Sequence, residues 1–205
     1  MRWRRYRLFR AETPRRTLPP PPKQSCYSLT PMGAPEPNTN GTGGVSARLG
    51  LGVYRLAGLL ATPFAPVILR RRANRGKEDP ARVSERLGNA SVPRPNGPVV
   101  WLHAASVGES VSLLPLIARI ADERPALTPL ITTGTVTSAQ MMAEQLPPGA
   151  IHQYVPVDLP RPVARFLDHW RPDLGIWVES ELWPNALTGL HRRGIPALMV
   201  NGRMS

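Results

Sequence analysis

Ser106 and Glu109 follow the apolar run 99–103 at a spacing that suits two different roles. Ser-x-x-Glu is a capping box, in which both side chains bind backbone amides at the start of a helix. A carboxylate at a helix N-terminus is also stabilised as the anion, which makes it a weak general base if it faces a cleft. Glycosyl transfer through an oxocarbenium-like centre tolerates such a base. The local sequence leaves both interpretations open.

A second segment, Glu179-Ser-Glu-Leu-Trp-Pro-Asn185, holds two carboxylates, a tryptophan and an asparagine. Pro184 suits the first position of a helix, and acidic residues just before a helix suit its dipole. Two carboxylates in one loop are more than a helix start requires, so we expect Glu179 or Glu181 to face a substrate. The stretch 132–135, Thr-Thr-Gly-Thr, offers hydroxyls and backbone amides to an anion or a sugar hydroxyl.

Metal and nucleotide cofactors find no support in the sequence. No Gly-x-Gly-x-x-Gly follows the first apolar run, and no Walker A sequence occurs. The histidines and the one cysteine show no metal-ligand spacing; they are Cys26, His103, His152, His169 and His191. We therefore expect neither a metal nor a cofactor, and we interpret His103 as a buried residue whose hydrogen bonds are satisfied.

Apolar runs alternate with helical patterns from Pro98 onward, which predicts the elements that position these loops. The predicted strands are 99–103, 127–132, 151–155, 174–178 and 197–200, and the predicted helices between them are 111–120, 137–146, 163–170 and 184–193. Such alternation is typical of an α/β fold with a Rossmann-like parallel sheet covered on both faces. Ligands of these sheets bind at the carboxyl ends of the strands, where both segments above lie.

The positive charge is concentrated in the first half of the chain. Residues 1–96 carry 18 basic and 5 acidic side chains, whereas residues 97–205 carry 8 and 9. This asymmetry indicates an anionic partner surface. The near-neutral second half lacks a basic helix or an aromatic stacking platform, so we expect a membrane rather than nucleic acid. We expect residues 1–44, rich in Arg and Pro, to be disordered; Met32 is an alternative translation start.

An apolar helix with a basic flank is predicted within residues 45–78. The run 49–69 is long enough to span a bilayer, but Arg55, Pro63 and Pro66 interrupt it. The basic side chains that follow suit the cytoplasmic side of a membrane. We expect a helix lying in the membrane interface rather than a span; a core helix of the following domain, residues 79–205, is the alternative.

Five motifs together give the chain a family resemblance. They are Trp101-Leu-His-Ala-Ala-Ser-Val-Gly-Glu109, Ile131-Thr-Thr-Gly-Thr135, His152-Gln-Tyr-Val-Pro-Val-Asp158, Glu179-Ser-Glu-Leu-Trp-Pro-Asn185 and Asn201-Gly-Arg-Met-Ser205. From about Leu51 onward the chain resembles the N-terminal, acceptor-binding half of the 3-deoxy-D-manno-octulosonic acid (Kdo) transferases. Residues 1–44 have no counterpart in that resemblance.

The resemblance implies a glycosyltransferase of the two-domain GT-B fold on the cytoplasmic face of the bacterial inner membrane. Such an enzyme transfers Kdo from CMP-Kdo to a lipid A precursor in lipopolysaccharide assembly, without a metal. Glu109 matches the catalytic base. The expected substrate-binding residues are Ser106, Gly108, Thr133, Thr135, Glu179, Glu181, Asn185 and Arg203; those expected to bind acceptor phosphates and the membrane are Arg70, Arg71, Arg72 and Arg75.

The resemblance does not extend to the family's second domain, which binds the CMP part of the donor. We therefore expect this polypeptide to be inactive unless another chain supplies that domain. The rival interpretation is a peripheral membrane-binding module without catalysis.

Overall fold

The computed structural model describes residues 41–178 and 183–200, and a five-stranded parallel sheet forms its centre. The strand order is β3-β2-β1-β4-β5. The strands are β1 (Val99–Ala104), β2 (Thr128–Thr133), β3 (Ile151–Tyr154), β4 (Leu174–Val178) and β5 (Ala197–Val200). The helices are α1 (Gly41–Ala61), α2 (Ala65–Ala73), α3 (Val83–Arg86), α4 (Val107–Glu123), α5 (Val136–Gln145), α6 (Pro160–Trp170) and α7 (Pro184–Arg192).

Both faces of the central strands are covered, because these strands are apolar on both sides, whereas every residue of the edge strand β5 is exposed. Every residue of β1 is buried. Val99 and Trp101 pack against α6 and α7, whereas Val100 and Leu102 pack against α4 and α5. The α/β fold and the parallel sheet expected from the sequence are confirmed.

Helix α6 shows how the sequence pattern produces one of these layers. Its buried residues Val163, Phe166, Leu167 and Trp170 recur at i, i+3, i+4 and i+7, which places them on one face. The Phe166 ring lies 4.7 Å from that of Trp101. The helix ends where Arg171 adopts a left-handed conformation with φ of 40°.

The apolar segment before the sheet forms α1, a short 3-10 turn (Thr62–Phe64) and α2. Pro63 does not end the helical path, because the Thr62 hydroxyl donates to the Gly58 carbonyl at 2.7 Å and prolines occupy the first turns of the following elements. The stretch Leu49–Ala73 is long and apolar enough to cross a membrane by length and composition. Its apolar side chains Val53, Leu56 and Leu60 are exposed.

Two buried carboxylates connect α3 to the sheet and to α2. Glu85 is fully buried; it accepts two hydrogen bonds from Arg82, both at 2.9 Å, and one from the Tyr154 amide at 2.7 Å. Glu78 accepts from Arg72 at 2.8 Å and lies 3.2 Å from the Arg86 guanidinium. Neither carboxylate belongs to a sequence motif that predicts its burial.

Gly88 is the backbone position at which we expect a side chain to be least tolerated. Its φ is +85°, and an added Cβ would overlap the carbonyl oxygen of Pro162 at the start of α6. Gly88→Ala should therefore cost several kcal/mol, more than the roughly 1–2 kcal/mol of left-handed strain alone. Gly76→Ala is the matched control, because Gly76 has φ of +69° and nothing within 4 Å of an added Cβ. Urea unfolding of both variants measures the difference, and equal losses would contradict the clash.

Candidate functional site

The candidate site lies at the carboxyl edge of the sheet, where the loops after β1 and β2 meet and where Trp183, just before α7, reaches the end of β1. Strand order reverses at β1, which pairs with β2 on one side and with β4 on the other. Loops that leave such a switch point diverge to opposite faces and open a crevice. An added Cβ on Gly134 would lie 3.6 Å from the Ala105 carbonyl oxygen, so the loops after β1 and β2 are in contact.

Glu109 stands in the first turn of α4, and the capping box predicted from the sequence is present. The Ser106 hydroxyl accepts from the Glu109 amide at 3.3 Å. The carboxylate accepts from the Ala105 amide at 2.7 Å and from the Ser106 hydroxyl at 2.8 Å, through different oxygens. A carboxylate has about four acceptor sites, so one on each oxygen is not used by any residue of 41–178 or 183–200. Glu109 is half-buried and Gly108 is exposed. Glu109 can therefore serve both in the capping box and as a general base, and its role as the base stays a prediction.

The two predicted threonines have different surroundings. Thr135 caps α5: its hydroxyl oxygen accepts from the Ser138 amide at 3.1 Å, and the side chain is exposed at the edge. Thr133 is fully buried, and its hydroxyl lies 2.9 Å from Nε2 of His152. Arg82 occupies the other ring nitrogen, Nδ1, at 3.1 Å. Because a guanidinium only donates, the neutral His152 ring donates from Nε2 to Thr133.

His103 is buried, as expected from the sequence, but the expectation that its hydrogen bonds are all satisfied is wrong for one ring nitrogen, because Nε2 lies where no described donor or acceptor reaches it. It is 1% exposed at the end of β1, with Nδ1 3.0 Å from the Thr132 hydroxyl. Its Nε2 has no hydrogen-bond partner among the described residues. The ring of Trp183 meets it edge-on at 5.3 Å. This contact brings the start of α7 to the end of β1, the strand that leads to Glu109.

Asn185 is buried rather than open to the site edge. It is 4% exposed, and its side-chain amide donates to the Asp158 carbonyl at 2.6 Å. Its substrate-binding role stays a prediction, with one of its amide protons already engaged. Three other predicted site residues, Glu179, Glu181 and Arg203, lie outside the described residues.

The four predicted phosphate-binding arginines lie on and just after α2, where all four are exposed. Arg72 differs from the others because its Nε donates to the buried Glu78. Arg70, Arg71 and Arg75 extend the basic charge along the end of α2. Within residues 41–178 and 183–200, no group of three or more His, Cys, Asp or Glu side chains could hold a metal ion.

The two histidines beside the site should make stability fall in mild acid. Burial lowers the pKa of His103 to about 4. Burial, followed by the charge of Arg82, lowers the pKa of His152 to about 3. In the unfolded chain both histidines bind a proton below about pH 6.5, whereas in the folded protein they stay neutral down to their lowered pKa values. The free energy of unfolding is therefore full above about pH 6.5 and falls as the pH drops toward 4. Each should contribute about 2 kcal/mol of loss between pH 7 and pH 5.

Urea unfolding of the parent and of His152→Gln at both pH values measures this loss, which should be smaller in the variant. The exposed His191, replaced by Gln, is the control and should leave the pH dependence unchanged. Equal pH dependence in His152→Gln and the parent would contradict the assignment.

Comparison with known proteins gives one family. Residues 81–205 match the family model described as 3-deoxy-D-manno-octulosonic-acid transferase (kdotransferase). A probable mitochondrial 3-deoxy-D-manno-octulosonic acid transferase of Arabidopsis thaliana is 40% identical over 161 residues, which cover 77% of this chain and 36% of the relative. The 3-deoxy-D-manno-octulosonic acid transferase of Rickettsia bellii is 39% identical over 153 residues, 75% of this chain and 36% of the relative.

The corresponding transferase of Haemophilus influenzae is 39% identical over 127 residues, covering 60% of this chain and 29% of the relative. The chain thus spans about a third of the length of the curated relatives that it matches. The family model covers more than half of the chain and contains both the capping box and the segment that leads into α7. The chain belongs to the 3-deoxy-D-manno-octulosonic acid transferase family.

Proposed function

We propose that this chain forms the acceptor-binding half of a GT-B glycosyltransferase that transfers Kdo from CMP-Kdo to a lipid A precursor in lipopolysaccharide assembly. The observation that carries the proposal is the position of Glu109. Its carboxylate lies at the switch point of the sheet, half-buried, with one acceptor site on each oxygen that the described part of the chain does not use. The family's name supports the sugar that is transferred.

In the proposed reaction Glu109 accepts the proton of an acceptor hydroxyl. The new bond joins that hydroxyl oxygen to the anomeric carbon of Kdo while the bond from this carbon to CMP breaks, and CMP leaves with the bonding pair. The hydrogen bonds from Ala105 and Ser106 fix the carboxylate before the acceptor arrives, which limits the ordering cost at the moment of reaction. Thr135, which is exposed at the neighbouring helix start, would contact the same acceptor.

We further propose that the chain works at the cytoplasmic face of the inner membrane. Exposed apolar side chains along α1, the 3-10 turn and α2, among them Leu60, Phe64 and Ile68, would enter the interface. Arg70, Arg71 and Arg75 follow, where they would attract anionic headgroups and the phosphates of the acceptor.

The packing of α1 and α2 favours a helix that lies in the interface over one that spans the bilayer. Tyr54 and Gly58 contact the loop before α6 and the start of that helix, and Ala65 and Leu69 are buried. These contacts extend over 16 residues, roughly 24 Å of helix. A span would withdraw this face from the domain and expose the groups that it covers.

Two measurements test the proposal. The 205-residue chain should float with vesicles that contain anionic lipid, and replacing Arg70, Arg71 and Arg75 with Glu should weaken flotation by at least about tenfold, at about 1 kcal/mol for each basic residue. The exposed Arg119, replaced by Glu on α4, is the matched control and should bind as the parent does.

Transfer itself is measured with CMP-Kdo and lipid A precursor in a chimera. The chain replaces the corresponding N-terminal part of the Haemophilus influenzae relative, whose remaining length completes the enzyme. Kdo incorporation into the acceptor is the expected result. Vesicle binding by the chain, combined with a stable chimera that transfers nothing, would favour the rival interpretation, a membrane-binding module without catalysis.

A further inference from the structure

Asp158, in the loop between β3 and α6, caps a helix to which it does not belong. Helix α7 has no capping side chain of its own at Trp183, and its first residue, Pro184, has no amide proton. The next two amides, of Asn185 and Ala186, donate to the Asp158 carboxylate at 3.1 and 3.0 Å. A carboxylate at this position also complements the helix dipole. Asp158 thus accepts from both of the amide protons that the first three residues of α7 carry.

The same carboxylate contacts helix α1. The Tyr54 hydroxyl donates to Oδ2 of Asp158 at 2.9 Å, across 104 residues of sequence. One turn further along α1, an added Cβ on Gly58 would lie 2.9 Å from the Pro160 ring, two residues after Asp158. Burial and the bond to Asp158 raise the pKa of Tyr54 to about 12, so the phenol stays a donor at physiological pH. One side chain therefore connects the apolar helix to the start of α7.

We propose that Asp158 is a positioning residue that couples helix α1 to the first turn of α7. Removing the Tyr54 hydroxyl leaves the carboxylate less constrained, so the Asn185 and Ala186 amides should open more often. Contact of α1 with a bilayer should have the opposite effect and stabilise the start of α7. This helix begins at Pro184, a few residues after Glu179 and Glu181 in the sequence. The coupling between α1 and α7 does not depend on the proposed function. The effect of a membrane on this coupling rests on the proposed function, because it requires that α1 bind a bilayer.

The experiment is amide-resolved hydrogen exchange by NMR on the 205-residue chain. Asp158→Ala should speed exchange at Asn185 and Ala186 by at least about tenfold, and Tyr54→Phe by about fivefold, in line with the loss of hydrogen bonds. The core amides of Val100 and Leu102 should not change, which separates local opening from global destabilisation. Asp168→Asn, an exposed carboxylate on α6 that binds Arg193 after α7, is the matched control and should behave as the parent.

The proposal is overturned if the Asn185 and Ala186 amides of Tyr54→Phe exchange at the parental rate. It is also overturned if the exchange of the core amides speeds up by the same factor as that of Asn185 and Ala186. Where Asp158→Ala does not fold, Asp158→Asn, which keeps one acceptor oxygen, and Tyr54→Phe carry the test.

Vesicles of phosphatidylglycerol and phosphatidylethanolamine test the membrane arm. They should slow exchange at Asn185 and Ala186 in the parent and have no such effect in Tyr54→Phe, although both bind. A parent that binds the vesicles with unchanged exchange overturns control by the membrane. A parent that does not bind refutes the membrane placement under the proposed function, while exchange in solution still decides the coupling.

Discussion

Glu109→Gln should lower the rate of Kdo transfer by about 10²–10⁴-fold in the chimera, the usual range for loss of a general base. Glutamine also serves at this position of a capping box, so the hydrogen bonds at the start of α4 can persist. The free energy of unfolding should therefore change by less than about 1 kcal/mol. The rate with CMP-Kdo and lipid A precursor is measured beside a urea unfolding curve of the 205-residue chain.

Two variants separate catalysis from capping. Ser106→Ala removes the cap and should cost about 1 kcal/mol of stability, and it should lower the rate far less than Glu109→Gln does, because the carboxylate and its bond to the Ala105 amide remain. Glu123→Gln changes an exposed carboxylate at the far end of the same helix and should alter neither quantity. A Glu109→Gln chimera that retains more than about a fifth of the parental rate would refute the assignment of the base.

Glu85→Ala should be the most destabilising of these side-chain replacements, with a loss of about 3–5 kcal/mol. The carboxylate is fully buried, and its removal leaves Nε of Arg82 and the Tyr154 amide without their acceptor, whereas Nη2 of Arg82 keeps its contacts with His152. Since domains of this size are stable by about 5–15 kcal/mol, the variant should fold only marginally. Urea unfolding measures the loss, and Glu85→Gln, which keeps the shape and one acceptor oxygen, should lie between the alanine variant and the parent.

The matched control is Glu123→Ala. Glu123 accepts from Arg119 at 2.8 Å, but both side chains are exposed, so the loss should stay below about 1 kcal/mol. A loss of less than about 1 kcal/mol in Glu85→Ala would contradict the view that the buried Glu85 carboxylate connects α3 to the sheet.

The fold could be predicted from the sequence because its signals are local. Strand β4 lies at residues 174–178 as predicted, since a short apolar run bounded by Pro172 and followed by polar residues has few other solutions. Helix α4 begins four residues earlier than its apolar stripe, because the Ser106 cap, and not the first buried residue, sets its start. Parallel topology then placed the motif loops at one edge.

The contacts that organise the site could not be predicted in this way. Glu85 meets Tyr154 across 69 residues, and Tyr54 meets Asp158 across 104. Pairs so distant leave no periodic pattern, and a charged residue in a loop looks the same whether it is solvated or buried. From the sequence, Asn185 was expected to bind substrate together with the acidic residues of its motif. In the structure its side-chain amide donates to the backbone carbonyl of Asp158.

The amino-acid sequence by itself determined the layers of this protein, the order of its elements and the edge at which chemistry is expected, because hydrophobic periodicity and capping act over a few residues. Only the tertiary structure decided which polar groups meet there: Trp183 against His103, Thr133 against His152, and Asp158 between α1 and α7. These partners are chosen when the chain closes on itself, since a buried donor or acceptor must find a complement wherever packing brings one within reach.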